Sequence, residues 1–71
     1  MSRVNYTKLR QLQEDAGLTH MQVAMRLNSH GVKANPSSVS RHMAGKGGMS
    51  LETIAAYAAV FSVSVDSLLN T

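Results

Sequence analysis

Signals that end a helix and signals that start one alternate so closely along this chain that only short helices fit between them. Gly17 is followed at once by Leu18-Thr19-His20-Met21-Gln22, Gly31 four residues on by Asn35-Pro36, and the run Gly45-Lys46-Gly47-Gly48 two residues on by Ser50. Glycine takes positive φ without steric cost, which is what the end of a helix asks of the next residue. Thr19 and Gln22 are spaced as a capping box, each side chain satisfying the other's free backbone N–H, and Leu18 and Val23 as the hydrophobic staple beside it. Asn35 is a strong N-cap, and Pro36 suits the first helical position, where its missing N–H costs nothing.

Five helices follow from this punctuation. The first is predicted from Tyr6 or Thr7 to Ala16, with Leu9, Leu12 and Ala16 on one face. The second runs from Thr19 to Asn28–His30 and buries Val23, Ala24 and Leu27. A loop over 31–34 leads to the third, Pro36 to Ala44, where Val39 and Met43 face inward. The fourth, Leu51 to Phe61, has the most regular apolar spacing, with Leu51, Ile54, Ala55, Ala58 and Phe61. The fifth begins near Ser64 and offers Val65, Leu68 and Leu69. Period-two alternation is confined to Val63-Ser64-Val65, too short to build a sheet. The expected fold is an all-α, compact five-helix bundle forming one domain over 1–71.

The chain has 71 residues and no cysteine, so disulfides and cysteine-based metal sites are excluded. A domain this small buries only about 60% of the surface its unfolded chain exposes, so its stability rests on a thin apolar core. The five methionines, Met1, Met21, Met25, Met43 and Met49, read most simply as core filler. Met21 and Met25, four apart, are the pair that could instead form an exposed contact patch. No apolar run is long enough for a membrane span, and the opening residues lack the apolar stretch of a signal peptide. A cytoplasmic location, bacterial cytosol or nucleoid, is expected.

Seven Lys and Arg face four acids, for a net charge of +3. No acid lies between Asp15 and Glu52, an interval that holds Arg26, Lys33, Arg41 and Lys46 together with His20, His30 and His42. Cations without anions across the middle third point to a polyanionic partner. The histidines are too widely spaced for a zinc set, and four scattered carboxylates form no catalytic pair. Neither a metal, a cofactor nor an enzymatic activity is expected.

The pieces Leu9-Arg10, Ala16-Gly17-Leu18-Thr19, Val23-Ala24, Val39-Ser40-Arg41, Gly45-Lys46 and Ser50-Leu51-Glu52-Thr53-Ile54, with the tail from Ala58 to Leu69, stand in a familiar order. In them the chain resembles the phage repressor/Cro-like (xenobiotic-response-element type) helix-turn-helix family. That resemblance implies a lambda-repressor-like bundle whose second and third helices form the helix-turn-helix, and a function as a transcriptional regulator. Three departures stand out. The connection between those helices is lengthened through Ser29-His30-Gly31-Val32-Lys33. His20 stands where the family often has a phosphate-contacting Gln. Met43 stands where a Glu often pairs with the Arg of the first helix, which leaves Arg10 available for phosphate.

The major groove admits one helix and displays distinguishable donors and acceptors. On the third helix, Ser37, Ser38 and Arg41 are the expected base contacts, with Asn35 and His42 as lesser candidates. Thr19, His20, Lys46, Arg10 and Lys33 are the expected phosphate contacts, which position a protein without reading sequence. Arg3 and Lys8 could act as an N-terminal arm. Two copies would read a pseudo-palindromic operator with half-sites about 34 Å apart. The expected homodimer interface is Val63, Val65, Leu68 and Leu69, residues that could equally close the monomer's own core. The alternative function is a protein-interaction module, an antirepressor or co-repressor that binds a partner repressor protein.

Overall fold

The helix boundaries fall where the capping residues put them. A computed structural model, which describes residues 3–70, has α1 (Tyr6–Ala16), α2 (His20–Ser29), α3 (Pro36–Ala44) and α4 (Leu51–Val60). Asn5, Thr19, Asn35 and Ser50 each accept a hydrogen bond from the backbone N–H three residues on, satisfying a donor that the helix leaves open. Thr19 and Gln22 form the expected capping box. Asn35 and Ser38 form a second one, which the sequence reading did not include.

All four helices also end the same way, in a Schellman turn. The N–H of Leu18 reaches Gln13 O, that of Val32 reaches Leu27 O, that of Lys46 reaches Arg41 O and that of Val63 reaches Ala58 O. The residue before each is left-handed: Gly17, Gly31 and Gly45 in three cases, and Ser62 with φ 55° in the fourth. Leu18, Val32 and Val63 then turn back onto the core, so the device that stops the helix also adds apolar cover.

One core joins the helices: Leu9 of α1, Val23, Ala24 and Leu27 of α2, Val39 and Met43 of α3, Ile54, Ala56, Tyr57 and Ala58 of α4, and Leu68. The face of α4 differs from the expected one. Leu51 is 70% exposed and Ala55 is exposed, whereas Tyr57 is wholly buried. A pattern that omits Tyr57 rotates the apolar stripe toward Leu51; the large ring sets the true phase. Ala16 is exposed as well. Met43 is buried and Met49 half-buried, but Met21 and Met25 are 60% and 63% exposed and are not core filler. Met1 lies outside the described residues.

The fifth helix is not present. Its place holds one 3-10 turn, Asp66–Leu68, tied by the Ser67 hydroxyl and N–H to Ser64. Leu69–Asn70 (β2) then runs antiparallel to Arg3–Val4 (β1), with Val4 opposite Leu69. The Leu68 carbonyl accepts from Asn5 N–H at 2.7 Å and is therefore not spent on a helical bond. A ladder of two residues per strand leaves no alternation that a sequence pattern could register.

Candidate nucleic-acid interface

Val39 and Met43, four apart, share the inner side of α3, and positions two residues from them, about 200° round the helix, face out. The exposed stripe is Ser37, Ser40, Arg41 and Ala44. Ser40 and Ala44 were missed by the sequence reading. The four-residue spacing of Val39 and Met43 was the signal that could have found them.

The lengthened connection is a real loop with a fixed form. α2 stops at Ser29, and Val32 is anchored to the core. The Asn28 side chain closes the loop from both sides, its Oδ1 accepting from Ala34 N–H at 3.0 Å and its Nδ2 donating to Ala34 O at 3.2 Å. Asn35, the cap of α3, is the next residue, so this clamp sets where α3 begins. The loop leaves Ser37, Ser40 and Arg41 uncovered.

Among the expected base contacts, Ser37 and Arg41 are exposed on the outer face of α3. Ser38 is half-buried and its hydroxyl is engaged, donating to Asn35 O and accepting from Asn35 N–H, both at 2.9 Å. Asn35 is exposed, and its Oδ1 is used for the cap. His42 turns inward: its Nδ1 lies 2.9 Å from the Tyr57 hydroxyl, and the two rings meet edge to face. Loss of water around the imidazole, and secondarily the neighbouring Arg41 charge, hold the His42 pKa below its ordinary value.

Among the expected phosphate contacts, Arg10 is not idle. Its guanidinium donates to Met43 O at 2.7 Å, at the negative end of the α3 dipole. A backbone carbonyl thus holds the guanidinium that the sequence left without a side-chain partner and available for phosphate. Thr19 and His20 sit at the start of α2, both exposed. Gln13 Nε2 donates to Leu18 O and meets His20 Nδ1 at 2.9 Å. A carbonyl can only accept, so the Gln13 atom is the nitrogen and His20 Nδ1 must accept. The His20 proton is thereby placed on Nε2. Lys33 is exposed in the connection and Lys46 just past α3. Lys46, Gly47 and Gly48 line a hollow of about 270 Å³ with Ser38, Arg41 and His42.

At the carboxyl end, Leu68 is wholly buried and belongs to the monomer core. Val63, Val65 and Leu69 are half-buried against that core. Among the described residues no cluster of metal-ligating side chains occurs, and no helix is long and apolar enough to cross a membrane.

No curated protein and no solved structure matches the chain. A family model described as a helix-turn-helix domain matches residues 7–69. The match spans the four helices and the 3-10 turn, including the α2–α3 pair whose second member carries the exposed Ser and Arg stripe. The chain therefore belongs to the helix-turn-helix domain family of DNA-binding proteins.

Proposed function

We propose that the protein is a sequence-specific transcriptional regulator that lays α3 in the major groove. The observation that carries this reading is the outer stripe of α3, where Ser37, Ser40 and Ala44 surround Arg41 and the opposite side is locked into the core by Val39 and Met43. Small residues let the helix approach base edges, the hydroxyls can donate or accept, and Arg41 can pair with both acceptors of a guanine. His20, Lys33 and Lys46 hold the backbone, and Thr19 retains a hydroxyl hydrogen for the same purpose. Arg10 contributes through the end of α3 that it braces. The protein acts as a phage- or mobile-element-type, Cro-like repressor in the cytoplasm, as a homodimer on a pseudo-palindromic operator. Its dimer surface uses Val63, Val65 and Leu69 and leaves out Leu68.

Selection of bound sequences from random duplexes tests this. Arg41→Ala should lose about 1–3 kcal/mol of discrimination at one base pair. Lys46→Ala should weaken all sequences alike and reduce the salt slope by about 1. No enrichment from the pool at micromolar protein would count against the reading.

The exposure of Met21 and Met25 favours a second reading, in which α2 docks on a partner regulator as an antirepressor or co-repressor. That function requires a stable complex with the partner and weak DNA binding by the protein alone.

A further inference from the structure

Tyr57 is buried beneath α3, and among the described residues the one hydrogen-bond partner of its hydroxyl is His42 Nδ1. That pair has only one arrangement that satisfies both members. If His42 carried its proton on Nδ1, the Tyr57 oxygen would accept it, and the phenol's own hydrogen would be buried with nothing to receive it. With Tyr57 donating, Nδ1 accepts and the imidazole proton sits on Nε2. Burial pushes the Tyr57 pKa up, which keeps the phenol protonated and a donor.

The His42 side chain also borders the surface. His42 lines the hollow formed with Ser38, Arg41, Lys46, Gly47 and Gly48. Arg41 leans over that loop; a Cβ placed on Gly47 would stand 3.6 Å from its guanidinium. Among the described residues no hydrogen bond engages His42 Nε2. Arg41, Lys46 and His42 therefore border one small concavity at the end of α3.

We propose that Tyr57 is a positioning residue for DNA contact: from inside the core it fixes His42 as a neutral Nε2–H donor to a backbone phosphate seated between Arg41 and Lys46. The proposal rests on the reading of α3 as the DNA-facing helix. It moves His42 from base reading to phosphate binding, and it gives a core residue that never touches DNA a share in affinity. His20 is oriented likewise, its Nδ1 held by Gln13.

Tyr57→Phe keeps the ring and removes only the hydroxyl. The full chain, as wild type, Tyr57→Phe, His42→Ala and the double variant, is checked for folding by circular dichroism. Each is titrated with one duplex enriched from the random pool, at several salt concentrations, and nitrogen NMR of the free proteins reports the His42 tautomer. We expect the Nε2–H form in the wild type and a mixture in Tyr57→Phe. Each single variant should bind about three- to tenfold more weakly, with the double variant no worse than His42→Ala. The salt slope should be unchanged, because a neutral donor releases no counterion, in contrast to Lys46→Ala. An Nδ1–H tautomer, undiminished affinity in folded His42→Ala, or a reduced salt slope overturns the proposal while leaving the DNA-binding reading intact. If Tyr57→Phe fails to fold, the wild-type tautomer and the affinity and slope of His42→Ala decide alone. A wild-type protein that enriches no duplex overturns both.

Discussion

Ser62 shows how a single residue carries a cost that the rest of the fold absorbs. It holds φ 55° at the end of α4, a conformation that strains any side chain with a Cβ. The corresponding places after α1, α2 and α3 are glycine. Ser62→Gly should therefore stabilise the protein by about 0.5–1 kcal/mol, after the extra freedom that glycine gives the unfolded chain is set against the relieved strain. A denaturant midpoint that falls instead of rising would show that the left-handed backbone is not strained. Gly45 is the opposite case, since a Cβ there would come within 3.2 Å of the Tyr6 ring, and no substitution can relieve anything. His42 adds a pH term. Its pKa in the folded protein lies below the ordinary 6.5, so below that pH the unfolded chain takes up a proton that the folded one resists. Its contribution is present above 6.5 and is lost as pH falls through the folded value. Melting temperature should drop between pH 7.5 and 5, and His42→Gln should drop less; equal losses would remove His42 from the account.

At the scale of elements, the helix starts and stops were legible because they are local. Thr19 with Gln22 and Asn35 with Pro36 state their helices within four residues, and each works in the structure as spaced. What could not be read depends on partners far along the chain. Tyr57 is a core residue only because α3 brings His42 to its hydroxyl fifteen positions away. Ser38 was expected at DNA because its use in a capping box is visible only once Asn35 has turned. The fifth helix was lost to a competition no periodicity records, since Asn5 and β1 claim the backbone that it would have used. Arg10 belongs to the same class. Across thirty-three positions it braces the carboxyl end of α3. Arg10→Met should cost about 1 kcal/mol in a urea titration, below the roughly 1.5–3 kcal/mol of a buried bond to a charged group because the side chain is exposed. No loss of stability would mean that α3 is held by Val39 and Met43 alone.

At the scale of the whole molecule, a core of eleven buried residues among those described leaves little reserve, and each member counts. Leu68, expected either at a dimer surface or in the monomer's own core, is fully enclosed in one chain. Leu68→Ala should cost about 2–5 kcal/mol even at protein concentrations too low for association. A loss that appears only at high concentration would return Leu68 to an interface between copies. The ladder between Arg3–Val4 and Leu69–Asn70 has a mechanical meaning as well. Traction applied at those two flanks meets the paired strands end-on and parts the rungs in succession, as a zipper opens, so tension would undo the closure of the chain before it loads the helix-turn-helix pair.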